Sequence, residues 1–398
     1  MLHELIEEKV SAISEQIIAL RRKLHQHPEV SGSEFETKSI LLEAIKPYGF
    51  EIVEGYYNTG FVIIIRGSKP GRTIGLRVDM DALEMDELVD KPFKSQNCGV
   101  MHACGHDGHM AMGVAVAIVL NDLRDQFEGN IKLIFQPAEE NARSGGGAQF
   151  MIADGVLEDE PRVEAMVGMH IWPDLMAGQA GTRVGPMMAA SDPFKIDIVG
   201  QGGHASMPNK CVDPILIASH TVLGLQSIVS RNVDPFEPAV VTIGMLNSGT
   251  RYNTIPESAE IIGTVRTFDE TTRQLIKTRI ENIAETTAMA YGGKATVQYT
   301  FGYPSVVNEK SMVDCAAQSI REVLGEVGYV NVERPAPGGE DFAYFTQKVP
   351  SVFIWLGYNK TDEKVHPPHS AYYDFDESIL ENGTKIFCKT ALNWLKNQ

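Results

Sequence analysis

The sequence predicts an α/β protein in which a larger domain is interrupted by a smaller α+β one. Its 398 residues exceed the size at which one hydrophobic core usually stops growing, so two domains are expected. In the first half, short and nearly apolar stretches alternate with runs of helical periodicity, the texture of an α/β sheet. Near Gly185 that texture gives way to alternation at Phe194, Ile196 and Ile198, the pattern of a sheet with one buried face.

Residues 4–26 read as an amphipathic helix, because Ile13, Ile17, Leu20 and Leu24 recur at helical spacing; Pro28 ends it. A second helix is expected over 34–45, with Gly49 as the stop before a strand over 61–66. After a turn at Lys69-Pro70-Gly71, residues 74–81 form a strand that gathers Asp79 and Asp81 at its C-terminal end. Open α/β sheets present their functional groups there. A helix over 110–120 and a strand over 131–136 lead to Pro137-Ala138-Glu139-Glu140. The run Gly145-Gly146-Gly147 introduces a further helix but lacks the spacing of a phosphate cradle. A strand over 165–169 follows, with His170 immediately beyond it.

The interrupting segment reads as strand 194–199, helix 213–230, strands 239–246 and 261–267, helix 270–291 and strand 295–301, a ferredoxin-like order. The expected divisions are 1–186, 187–301 and 302–398. The last part resumes the larger domain with a helix, a strand over 352–356 and a final helix over 376–395.

The chain is organised around Met101-His102-Ala103-Cys104-Gly105-His106-Asp107-Gly108-His109, which packs histidines, a cysteine and an aspartate before a helix. Such a loop can offer metal ligands from a rigid junction. A polar turn around a buried thiol is the plain alternative. Glu139 and Glu140 standing alone would read as solvated surface. Following an apolar strand, they are adjacent carboxylates that repel unless a cation or a shared proton compensates. One can ligate a metal while the other manages the proton of a bound water. Asp79 and Asp81 share a side of the strand, and one of them can orient a metal-binding histidine. Three strand ends thus deliver Asp79/Asp81, Glu139/Glu140 and His170, a recurrence that packing alone does not explain. His366 or His369 can close the ligand set.

Composition excludes several other classes. An excess of 52 acidic over 35 basic residues, a formal charge of −17, argues against a non-specific grip on nucleic acid or anionic membrane. There is no basic stripe with interleaved aromatics and no apolar run long enough to span a bilayer. The 5 cysteines form no evident disulfide framework, and the N-terminal residues do not read as a secretory signal. A reducing cytoplasm is therefore expected, with Cys104 as a ligand rather than half of a bridge.

On these residues the chain resembles the M20 metallopeptidase family, in its amidohydrolase branch of aminoacylase-, hippurate hydrolase- and auxin-conjugate hydrolase-like enzymes. The resemblance is carried by Leu76-Arg77-Val78-Asp79-Met80-Asp81-Ala82-Leu83, residues 101–109, Gln136-Pro137-Ala138-Glu139-Glu140, Gly168-Met169-His170 and Gly202-Gly203-His204-Ala205. Asn253-Thr254-Ile255-Pro256, Glu340-Asp341-Phe342 and His369-Ser370 complete it in family order. Two residues depart from the pattern: Glu84 stands where many relatives carry proline, and Asn209 where many carry histidine.

The resemblance implies a two-domain metallohydrolase with an inserted lid or dimerisation domain. It places Cys104, His106, Glu140, His170 and His369 on two divalent metal ions, with the Cys104 thiolate bridging; zinc, manganese, cobalt and nickel all suit such donors. His369 is preferred to His366 because Ser370-Ala371-Tyr372-Tyr373 follows it. Glu139 matches the general base and belongs with Asp81 and His204 to the implied catalytic set. His204 supplies charge to the oxyanion, in cis or across a dimer, while Asn253 and Arg266 hold the substrate's amide and carboxylate. The implied reaction is hydrolysis of an N-acyl-amino acid, of N-acetyl or N-benzoyl type, to amino acid and carboxylic acid. The alternatives are a metallocarboxypeptidase or dipeptidase, an N-acetyl-diaminopimelate deacetylase, and a non-catalytic metal-binding scaffold. A homodimer is expected, with a homotetramer as the alternative.

Overall fold

The computed structural model describes residues 2–142, 144–360 and 365–396. Residues 1, 143, 361–364 and 397–398, which fall in the expected spans 1–186 and 302–398, lie outside the described residues. The chain divides into two units: Met1–Met187, Val306–Arg334 and Asp341–Gln398 make one, and Met188–Ser305 with Pro335–Glu340 the other.

The first unit is built on an eight-stranded sheet in the order Glu51–Tyr56, Gly60–Arg66, Asn130–Gln136, Thr73–Asp79, Ala165–Met176, Ser351–Asn359, Ala180–Thr182, Tyr329–Asn331. The four strands from Asn130–Gln136 to Ser351–Asn359 run parallel. Thr73–Asp79 is buried at every residue and Ser351–Asn359 at all but its last, as befits parallel strands covered on both faces. Helix His106–Asp122 is buried continuously from His106 to Leu120, so it forms part of the core rather than an amphipathic cover.

Three local expectations in this unit are corrected. Residues 4–26 form two helices, Leu2–Ala12 and Ser14–Gln26, broken at Ile13. The Ile17 amide still donates to the Ile13 carbonyl at 3.0 Å, so the apolar spacing carries straight across the break and conceals it. The helix expected over 110–120 starts at His106, because Gly105 turns left-handed at φ +85° and its carbonyl accepts from the Gly108 and His109 amides. The strand expected to end at residue 169 continues to Met176, since Ile171 and Trp172 stay paired with Leu356 and Gly357; His170 therefore stands within a strand, opposite Trp355.

In the second unit the strands Ala239–Ser248, Ser258–Thr267, Ala190–Val199 and Lys294–Tyr299 form an antiparallel sheet in that order. Helices Pro214–Leu225 and Glu270–Ala290 start at Asp213 and Asp269, whose side chains accept from the Ile215 and Thr272 amides. The expected helix over 213–230 is two pieces, Pro214–Leu225 and Ser227–Arg231. Phe194, Ile196, Ile198, Ile261, Val265, Ile276 and Ile280 form the core of this unit. No helix among the described residues is long and apolar enough to cross a membrane.

Candidate metal centre

The parallel strands of the first unit carry Asp79 and Gln136 at their C-terminal ends and His170 within strand Ala165–Met176, and the loops that follow the first two bring up Asp81, Glu139 and Glu140. Helix His106–Asp122 adds His106 from its first turn. Gly105 must be glycine: besides its left-handed φ, a Cβ there would meet the Tyr373 hydroxyl at 2.6 Å.

Three groups of potential ligand atoms overlap, each spanning no more than 4.8 Å: Cys104 with His106 and His170, Cys104 with Glu140 and His369, and His106 with Glu139 and Glu140. All five sequence-proposed ligands are thus brought together, and Cys104 is common to the first two groups. His366 joins no such group among the described residues; its carbonyl accepts from the Tyr358 hydroxyl at 2.8 Å.

His106 and His170 are each oriented from behind by a backbone carbonyl. His106 Nδ1 donates to the Asp81 carbonyl at 2.9 Å, which leaves Nε2 as the ring nitrogen open to a metal; that atom is buried with no hydrogen-bond partner and lies 3.6 Å from Asp79 Oδ2. His170 Nδ1 donates to the Ile171 carbonyl at 2.8 Å, so its Nε2 faces Cys104 Sγ at 3.3 Å. His369 Nε2 lies 3.1 Å from Glu140 Oε1, and His369 holds a left-handed φ of +66°, a strained conformation of the sort found at functional sites. His109 is already committed: Nδ1 donates to Asp79 Oδ1 at 2.6 Å and Nε2 accepts from the Ile171 amide at 3.0 Å.

The electrostatics fit a cation. Burial, then the carboxylates of Glu140 and Glu139, push the Cys104 thiol far above its ordinary range. Burial lowers His106, yet Asp79, Asp81 and Glu140 outweigh it and bring the ring up to about 10. Burial and neighbouring His109 push His170 far down, which suits a neutral nitrogen ligand. Positive charge among these groups would favour the thiolate and relieve the carboxylates, so the donor set matches divalent metal ions.

Sequence reasoning assigned no role to Arg77, Asp341 or Glu34. Arg77 donates to Gln136 Oε1 at 2.9 Å, Asp79 Oδ2 at 2.6 Å and Asp341 Oδ1 at 2.8 Å, all buried. The Asp341 amide reaches Glu139 Oε1 at 3.4 Å. An arginine inside an otherwise apolar strand was the one available signal for this network. His204, Asn253 and Arg266 belong to the second unit. His204 Nδ1 accepts from the Ser206 amide at 3.2 Å, so in the neutral ring the proton is on Nε2. The Asn253 carbonyl accepts from the Ala205 amide at 3.2 Å, and Arg266 Nη1 donates to the Val265 carbonyl at 3.0 Å.

Residues 75–393 match the family model described as peptidase family M20/M25/M40. An N-acetylcysteine deacetylase of Bacillus subtilis is 39% identical over 383 residues, covering 96% of this chain and 97% of the relative. Thermostable carboxypeptidase 1 of Saccharolobus solfataricus is also 39% identical, over 386 residues and 96% of each chain. Among solved structures, the Bacillus subtilis YXEP protein, described as a dinuclear metal binding peptidase from the M20 family, aligns with a TM-score of 0.84 at 36% identity, covering 98% of this chain and 99% of that one.

Proposed function

The chain belongs to peptidase family M20/M25/M40, and from that premise we propose a reaction served by two divalent ions that Cys104, His106, Glu140, His170 and His369 would hold, Cys104 being the residue both would share. The protein is an enzyme, a metal-dependent hydrolase of the amide bond of N-acyl-amino acids. The favoured substrates are of N-acetyl or N-benzoyl type. The observation that carries the two-ion reading is the pair of overlapping ligand groups that share Cys104, one of which contains an imidazole nitrogen buried without a hydrogen bond.

Divalent ions at such donors supply Lewis acidity, which lowers the pKa of water and polarises a carbonyl. Glu139, buried beside Glu140, is proposed to accept the proton of the attacking water and return it to the departing nitrogen, because an amide anion is a poor leaving group. Asp81 fixes the His106 tautomer through its carbonyl and holds the Glu139 and Glu140 amides with its carboxylate. His204 is assigned to the oxyanion, a role that its Nε2 proton supports. Arg266 offers the fork geometry that a substrate carboxylate wants, and Asn253 is assigned to the amide. Zinc, manganese, cobalt and nickel each remain compatible with these donors.

The segment 187–301 is proposed as a lid or dimerisation domain between two parts of the catalytic domain. Strand Ala239–Ser248 lies at the edge of its sheet and exposes Val240, Met245 and Leu246, a surface suited to pairing with a second copy. A monomer in sedimentation velocity at micromolar concentration would contradict the dimer.

The reading is tested by measuring amino-acid release from N-acetyl-, N-benzoyl- and longer N-acyl-amino acids alongside dipeptides, using metal-stripped enzyme supplied with zinc, manganese, cobalt or nickel. The expected result is metal-dependent release that favours acylated amino acids. Preference for dipeptides would favour the carboxypeptidase or dipeptidase reading, which the similarity to the thermostable carboxypeptidase keeps in play. Silence with every metal would refute both.

A further inference from the structure

Three consecutive amides at the turn after strand Asn130–Gln136 are gripped by two buried carboxylates. The Ala138 amide donates to Glu34 Oε1 at 3.0 Å, while the Glu139 and Glu140 amides donate to Asp81 Oδ1 and Oδ2 at 3.1 and 2.9 Å. Ala138 is the pivot. Its φ of +59° lies in the left-handed region, which disfavours a residue bearing a Cβ.

Glu34 is itself held firmly. Its Oε1 also accepts from the Gly32 amide at 2.7 Å, and its Oε2 accepts from the Thr59 hydroxyl at 2.8 Å. It is fully buried and belongs to none of the ligand groups. Among the described residues its hydrogen-bond partners are amides and a hydroxyl, so no cation offsets its burial. Burial, then neighbouring Asp81, raises its carboxyl to about 7. A carboxyl group kept in such a place is best explained by what it holds.

We propose that Glu34 is a positioning residue for the reaction, locking the left-handed turn at Ala138 from which Glu139 and Glu140 project. The inference rests on the reading of Glu139 as the base and Glu140 as a ligand. Its effect should fall on Glu139. Coordination would hold Glu140 in place even with a loosened turn, whereas a base has only its backbone and neighbours to aim it.

The hydrogen-bond pattern separates the acceptor role of Glu34 from its charge. A glutamine side chain can keep its oxygen on the Gly32 and Ala138 amides and turn its amino group to Thr59, whose hydroxyl can accept. Glu34→Leu removes every one of these bonds. Ala138→Gly removes the steric cost of the left-handed turn and so reduces the need for a clamp.

The experiment compares kcat, KM, bound metal per chain and melting midpoint for wild type, Glu34→Gln, Glu34→Leu and Glu34→Leu/Ala138→Gly, each loaded with the activating metal. Glu34→Gln is expected within about 3-fold of wild-type kcat, because every bond has a replacement. Glu34→Leu should lose about 10- to 100-fold in kcat with KM within about 3-fold and metal content intact, the size of effect that a misplaced catalytic group produces. Adding Ala138→Gly should restore at least about 5-fold of that loss, since it relieves the strain directly.

Wild-type kcat in Glu34→Leu would overturn the proposal, as would a kcat loss that tracks lost metal and is not relieved by Ala138→Gly. Should Glu34→Leu fail to fold, Glu34→Gln decides alone: a loss beyond about 10-fold with full metal content contradicts the acceptor role. Glu139→Gln, assayed in parallel, should lose about 10²- to 10⁴-fold in kcat with its metal retained. Turnover at the wild-type rate in that variant would remove the base assignment whatever the Glu34 variants do.

Discussion

The two sheets of this chain treat charge in opposite ways. Strand Thr73–Asp79 is buried at every residue, so Arg77 and Asp79 cannot reach water and are committed to each other, to Gln136 and to Asp341. Strand Ser258–Thr267 buries every second residue, and its outward Glu260 meets Lys195 of the adjoining strand at 2.9 Å where solvent has access. A charge that cannot be solvated must be fixed by partners, and fixing it makes the strand end a rigid platform. A charge on a wet sheet face constrains little. The candidate metal centre sits at the end of the sheet of the first kind.

The contrast is sharpest in stability. Arg77→Met should destabilise the first unit by about 3–5 kcal/mol, because Asp341 would be left buried without its cationic partner and Asp79 would keep only its histidine contacts. Chemical denaturation followed by tryptophan fluorescence would read this, since all 3 tryptophans lie outside the second unit. At the small end, Lys195→Ala should leave the second unit's denaturation midpoint unchanged when followed by far-ultraviolet circular dichroism, because the Lys195 pairs with Glu260 and Asp197 are open to solvent. Comparable losses from the two variants would erase the distinction between the sheets.

The same contrast explains what could be read from sequence. Residue types that ligate metals cluster in residues 101–109, and Glu139, Glu140 and the pair His366/His369 lie in short polar breaks between apolar stretches, so a metal centre was legible before the fold was known; the choice of His369 over His366 came from the family resemblance. Glu34 was not legible: one glutamate at the start of helix Phe35–Ile45 looks like any residue of a first helical turn, and only the returning Ala138 amide gives it meaning. Strand Glu51–Tyr56 was missed because it is the edge of the sheet and carries Glu51, Glu54 and Gly55 where a buried strand would carry apolar residues. The helix break at Ile13 escaped because periodicity records which face is buried and not whether the backbone is continuous. The continuation of strand Ala165–Met176 past His170 depends on pairing with Ser351–Asn359, nearly half the chain away, which no local window contains.

The central claim is that Cys104 is shared between two ions in the platform of the first sheet. The most direct test is metal stoichiometry by emission spectrometry on wild-type protein and on Cys104→Ala, after dialysis against a limiting excess of the activating metal. The account predicts two ions per chain in the wild type and a loss of bound metal in the variant, whose thermal transition should then respond less to added metal. Full retention of both ions by Cys104→Ala would contradict it.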